Sequence, residues 1–249
     1  MRIVSGRNAV LTVLRMGAAV REVMIDAAAA GEKAAAIVEA AQRAGVPLRR
    51  VDRRELEQRA GANHQGVLAV AETLPEMKLK DVLTRCADQR RPPCIVLLRE
   101  LLHEHNLGAI LRTADAAGAV AVVLPSHGAA ALGAEAARVS TGAAETVTVV
   151  RQSLTQALAV LRREGITVIG AEPEGNTDYW DQDLRGPVAF LLGGENRALS
   201  GPLRDACDAL VRIPMVGQVT SLNVSVACAL LLYERLRQST TGRVRPDCP

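Results

Sequence analysis

The 249 residues are 49% hydrophobic but only 2% aromatic, so the chain can bury a sizeable core and must build it from aliphatic side chains. A formal net charge of +3 hides an asymmetry: residues 1–90 hold 15 Lys and Arg against 11 Asp and Glu, whereas residues 91–249 hold 15 against 16. Five cysteines without a CxxC pair count against a disulfide framework and a zinc site, and no apolar run approaches the ~18–20 residues of a membrane span. The start MRIVSGRNAV lacks the apolar stretch of a signal peptide, so a cytoplasmic protein is expected.

Residues 7–16 (RNAVLTVLRM) predict a short helix, 21–26 (REVMID) a strand, and 32–45 an alanine-rich helix stopped by Gly45 and Pro47. A strand near 47–51, a helix over RRELEQRAG and a strand at 67–72 (VLAVAE) complete a small α/β unit assigned to residues 1–73. Residues 74–93 turn polar and hold Pro75, Pro92 and Pro93, which predicts a linker with one short helix, DVLTRCADQ. From Cys94 onward, strands are expected at 94–98, 119–125, 146–150, 166–172, 187–193 and 209–215, and helices at 106–117, 131–140, 153–164, 200–207 and 221–237. Apolar strands alternating with helices are the pattern of a parallel sheet, so an α/β domain is expected over 94–239 with ligand sites at its strand carboxyl ends. The stretch 240–249 has no periodicity and is expected to be disordered.

No G-x-G-x-x-G follows a strand and no G-x-x-x-x-G-K-[ST] occurs, so the usual dinucleotide and P-loop readings fail. His103-Glu104-His105 has its histidines two apart, whereas a helical zinc motif needs them four apart; no metal is expected. Three strand-to-loop transitions stand out instead. In HEHNLGAILRTADAAG (103–118), Asn106 reads as a helix N-cap, Gly108 allows close backbone approach to a ligand, and Arg112 follows one turn later on the same face. In FLLGGENRALSGPL (190–203), an apolar strand runs into Gly193-Gly194 and then Glu195, where paired glycines free backbone groups for a ligand. In VRIPMVGQVTSLNVSVACALLLYERLR (211–237), Ser221 reads as an N-cap, while Asn223 and Ser225 inside the first turn call for more than capping. Taken singly, each has a plainer alternative: a surface arginine, an ordinary glycine turn, a simple cap.

Together, N-x-G-x-x-x-R, the Gly-Gly-Glu loop and IPM…SLNVSVA resemble the SpoU, or TrmH-like, branch of the SPOUT methyltransferases over about residues 94–238. GRNAVLTVL and HQGVLAVAE (64–72) look like the ribosomal-protein-like substrate domain of members that modify large-subunit ribosomal RNA. The resemblance implies a deep trefoil knot, an exception to the rule against threaded chains. It implies S-adenosylmethionine as cofactor, held by Leu192, Gly193, Gly194, Ile213, Pro214, Met215 and Leu222, and methyl transfer to a ribose 2′-hydroxyl served by Arg112, Asn106, Glu195, Ser221 and Asn223. A homodimer through the knot region and last helix is implied as well, in keeping with a helix apolar on more than one face.

RNA is the expected partner, ribosomal RNA ahead of tRNA, with Arg49, Arg50, Arg53 and Arg54 as the RNA-facing cluster. A non-catalytic ribosome-assembly factor of the same fold is the alternative from another class. Two departures from the family pattern bear on loop geometry. His103-Glu104 stands where Asp-Pro is usual, and Ala198 stands where a glycine is usual, which would strain the loop if that position needs a positive φ.

Overall fold

The computed structural model describes residues 1–73, 76–195 and 197–240. Leu74 and Pro75, at the start of the expected linker, and the expected disordered tail from 241 on lie outside the described residues.

The first unit is built from β1 (Arg2–Ser5), α1 (Arg7–Arg15), β2 (Val20–Asp26), α2 (Glu32–Arg43), β3 (Leu48–Val51), α3 (Arg53–Ala60) and β4 (Val67–Ala71). Its sheet runs β1-β4-β2-β3, with β2 and β3 parallel and β4 antiparallel to β1 and β2. Val10, Val13 and Ile37 from α1 and α2 cover one face, and Leu56 of α3 packs on Met24 and Leu68 behind the other. Helices on both faces explain why Val23, Met24 and Ile25 are buried in succession instead of alternating. β1 was not expected: four residues with one fully buried side chain, Val4, carry too little periodicity to read.

The second unit follows as α4 (Leu79–Asp88), β5 (Cys94–Leu98), α5 (Glu104–Ala116), β6 (Ala121–Leu124), α6 (Ala134–Ser140), a 3-10 turn (Ala143–Glu145), β7 (Thr148–Arg151), α7 (Leu154–Arg163), β8 (Thr167–Ala171), β9 (Thr177–Asp178), β10 (Val188–Leu192), α8 (Gly201–Asp205), β11 (Ala209–Arg212) and α9 (Val224–Thr240). All seven strands are parallel, in the order β7-β6-β5-β10-β8-β11-β9. The chain steps outward from β5 through β6 to β7, returns to lay down β8, and later slots β10 between β5 and β8. This reversal puts the carboxyl ends of β5, β10, β8 and β11 side by side, the crevice where open α/β sheets take their ligands. The segment expected as a linker carries α4, whose Leu79, Val82, Leu83 and Cys86 are buried against the sheet's Ile95 and Leu97.

Gly108 does a different job from the one expected. A Cβ there would lie 2.6 Å from Val139 Cβ and 2.7 Å from the Ala136 carbonyl oxygen, so the missing side chain lets α5 and α6 pack closely. The two units also touch. Arg2 of β1 makes a bidentate pair with Glu145 of the 3-10 turn, both bonds 2.5 Å, and the Glu145 side chain is 5% exposed. A Cβ on Gly142, whose φ is +104°, would lie 2.7 Å from Thr12 Oγ1 of α1.

Candidate active site

The carboxyl ends of β8 and β10, the loop after β11 and the start of α9 enclose a cavity of about 290 Å³, close to the lower end of the ~300–1,000 Å³ usual for small-molecule sites. Leu192, Gly193, Gly194, Ile213, Met215 and Leu222 line it; Pro214, half-buried between two of these, does not. Val224 and Ala227 of α9 continue the aliphatic wall, and Glu172, Thr220 and Ser221 add polar groups. Neither glycine has a positive φ. Both positions need glycine for space: a Cβ on Gly193 would come within 2.9 Å of the Arg197 carbonyl oxygen, and one on Gly194 within 2.4 Å of Glu100 Cβ. The Gly194 N–H is also spent within the loop, donating to the Arg197 carbonyl at 2.6 Å, so it is not free for a ligand as the sequence reading had it. Ala198 has no positive φ either, and the strain expected there does not arise.

Beside the cavity lies a chain of polar side chains from three elements. Asn106 is not the cap of α5, which starts two residues earlier; it sits in the first turn and its Nδ2 donates to Glu195 Oε1 at 2.7 Å. His103, the actual N-cap, donates its backbone N–H to the same oxygen at 3.3 Å and brings Nδ1 against Glu195 Oε2. Asn223 Nδ2 donates to Asn106 Oδ1 at 3.2 Å. Because α9 begins at Val224, Asn223 is a helix cap after all, its Oδ1 accepting from the Ser225 backbone N–H at 2.8 Å and from Ser225 Oγ at 2.6 Å. Its amide group still remains to tie α9 to α5. Ser221 is not the cap; it lies exposed in the loop and lines the cavity.

Arg112 stands apart from this chain. It is exposed on α5, makes no hydrogen bond or ion pair among the described residues, and does not line the cavity. Of the neighbouring histidines, His103 serves Glu195 while His105 lies 3.8 Å from Glu135. Glu104 accepts the backbone N–H groups of Glu135 and Ala136 at 3.2 and 3.4 Å, satisfying the amino end of α6. Both residues of the His103-Glu104 departure therefore hold local structure. Sequence reasoning missed Ala171, Glu172 and Pro173 as cavity residues. The strand ITVIGAE gave only the generic signal that a parallel strand ends there.

Burial works to raise the Glu195 pKa, but the hydrogen bonds from Asn106 and His103 outweigh it and hold the carboxyl below the usual carboxylate range. A carboxyl depressed on folding contributes stability above its unfolded pKa, ~4.3, and loses it as pH falls through the folded value. Urea midpoints of the native protein are therefore expected to exceed those of Glu195→Gln near neutral pH, with the gap closing as pH falls below the ordinary carboxylate range. A pH-independent gap would show that the ionised carboxylate is not what the cluster is built on.

A parallel sheet whose carboxyl edge holds an aliphatic cavity, with a polar side-chain cluster beside it, has the arrangement of a small-molecule or cofactor site. The SpoU rRNA methylase family profile matches residues 93–233, and that for RNA 2′-O ribose methyltransferase substrate binding matches residues 3–77. The chain is 40% identical over 206 residues to the 23S rRNA (guanosine-2′-O-)-methyltransferase RlmB of Vibrio cholerae, covering 81% of this chain and 82% of that one. It is 37% identical over 241 residues to the protein of the same name from Ralstonia nicotianae, covering 95% and 96%. The crystal structure of the SpoU methyltransferase AviRb from Streptomyces viridochromogenes in complex with AdoMet superposes with a TM-score of 0.78 at 27% identity, covering 96% of this chain and 91% of that one. The chain belongs to the SpoU rRNA methylase family, RNA 2′-O-ribose methyltransferases that take their methyl group from S-adenosylmethionine. The lining suits such a cofactor in kind: Leu192, Ile213 and Leu222 supply aliphatic walls of the sort that take a purine ring, and Glu172, Thr220 and Ser221 supply polar groups.

Proposed function

We propose that this enzyme methylates the ribose 2′-hydroxyl of a guanosine in 23S ribosomal RNA, in the cytoplasm. The observation that carries the reading is the near full-length match to the Ralstonia protein of that name, which extends through the substrate-binding unit as well as the catalytic one. What the cofactor supplies when bound is a methyl group already activated on sulfur. The chain's own residues have to hold the 2′-hydroxyl in line with it and take the charge that grows as the proton leaves. Arg112 fits the second task. A guanidinium holds its proton and makes a poor base, but an exposed one without a partner among the described residues can grip the neighbouring phosphate and stabilise the 2′-oxygen. Asn106, Glu195 and Asn223 fix the loops around the reacting centre, and Ser221 lines the cavity beside them.

In the basic unit, Arg49 pairs with Glu22 and Glu55, Arg53 with Glu57, and Arg50 donates to the Ala27 and Ala29 carbonyls. Arg54, exposed and with no partner among the described residues, has its charge most available for phosphate. A homodimer is supported by the exposed apolar side chains Val226 and Tyr233 of α9, which share a surface groove with Tyr179 and Leu230. The trefoil knot implied by family resemblance is supported by the late insertion of β10 between β5 and β8. No described helix is long and apolar enough to cross a membrane.

Mapping 2′-O-methyl groups in RNA from a deletion strain tests the substrate. One 23S guanosine is expected to lose its methyl group and to regain it with the wild-type gene. An unchanged ribosomal profile with a methyl group missing from tRNA would overturn the assignment, and no change in either RNA would favour the non-catalytic assembly factor.

A further inference from the structure

Three charged side chains line the cavity among the described residues, and two of them are occupied. Glu195 is held by Asn106 and His103, and Arg197 lies 3.8 Å from Glu100. The third, Glu172, follows directly on β8 and is 6% exposed. Its Oε1 accepts the Leu199 backbone N–H at 2.6 Å, while Oε2 has no hydrogen bond or ion pair among the described residues. Glu172 lines the cavity, so its second oxygen is placed to accept a hydrogen bond from a ligand there. The cavity it lines is where a donor would come from.

Position along the sheet says which part of the cofactor is involved. β8 lies on the far side of β10 from β5, and the helix carrying Asn106 and Arg112 follows β5. The reacting sulfur belongs at the β5 side, where Glu195 and Asn223 meet Asn106 and the ribose of the RNA must enter. Glu172 therefore stands at the nucleoside end. The donors there are the ribose hydroxyls and the 6-amino group of adenine, both of which suit a carboxylate oxygen.

We propose that Glu172 is a cofactor-recognition residue, whose free carboxylate oxygen accepts a hydrogen bond from the adenosine moiety of S-adenosylmethionine. This rests on the cavity being the cofactor site. It explains how the nucleoside is read without any G-x-G-x-x-G fingerprint: the acidic group is presented at a strand end, and the same side chain pins the loop before α8 through Leu199.

Calorimetric titration of the full-length protein with S-adenosylhomocysteine tests the assignment, alongside its 2′-deoxy and 3′-deoxy analogues and the analogue lacking the 6-amino group. Native protein, Glu172→Gln and Glu172→Ala are compared, with thermal melts to establish that each is folded. On native protein, at least one analogue is expected to bind about tenfold or more weaker than the parent compound, the scale of a hydrogen bond to a charged group. In Glu172→Ala that penalty should fall to within about threefold, because the acceptor is gone, and Glu172→Gln should fall between. A penalty confined to the deoxy compounds assigns the bond to the ribose, and one confined to the other analogue assigns it to adenine. Equal penalties in native and alanine proteins would overturn the proposal and leave Glu172 as a support for Leu199 alone. Native protein that fails to bind the parent compound would overturn the cofactor site itself, and the proposal with it.

Discussion

Replacing Arg112 with alanine is expected to cut methyl transfer at least ~100-fold, the scale of losing a group that stabilises developing charge, while S-adenosylmethionine affinity stays within about threefold. The two effects separate because the side chain is exposed on α5 and does not line the cavity. Folding should be untouched as well, since the guanidinium has no partner among the described residues to lose. Arg112→Lys should recover little of the rate, because a point charge does not reproduce a planar fork with two parallel donors. Radiolabelled methyl transfer to unmodified ribosomal RNA measures the rate and calorimetry the affinity. Turnover of the alanine variant near the native level would return Arg112 to the status of a surface residue.

The second large effect is expected at Gly108, and it is one of stability. Gly108→Ala would gain about 1 kcal/mol of helix propensity in isolation. In this fold the new Cβ would meet Val139 Cβ at 2.6 Å and the Ala136 carbonyl oxygen at 2.7 Å, and a backbone atom in a neighbouring helix does not yield as a side-chain tip does. Overpacking of this kind costs about 1–3 kcal/mol, and the larger Gly108→Val more, so the valine variant should melt roughly 5–10 °C below native protein. Cofactor affinity of the folded fraction should be unchanged in both. A raised melting temperature combined with weakened cofactor binding would reverse this reading and restore Gly108 to the ligand.

Gly108 also marks the limit of what could be read in advance. Its presence in a motif was legible; its reason was not, because Val139 lies thirty-one residues away and no local pattern announces that two helices will pack so closely. The same holds for Asn106, whose spacing before Arg112 caught attention while its partner, Glu195, sits 89 residues downstream. Strands such as CIVLL and VAFLL were plain because long apolar runs depend on nothing beyond themselves. β9, two residues long, had no such signal. Glu172 escaped notice for a related reason: an acidic residue after a buried strand looks like the start of any surface loop, and only the fold turns it inward.

The contact between the two units bears on how such chains evolve. Glu145 is nearly sealed beneath Arg2, so losing the arginine alone would strand a carboxylate away from water, a change that selection against instability removes quickly. Gly142 is bound in the same way to Thr12, which fills the space a side chain would take. Arg2 is therefore coupled to Glu145 and Thr12 to Gly142, although each pair spans two separate units. An RNA-reading unit borrowed from a distant relative would arrive mismatched unless the short turn before β7 came with it, so exchange of this unit between lineages should leave a paired trace at both places.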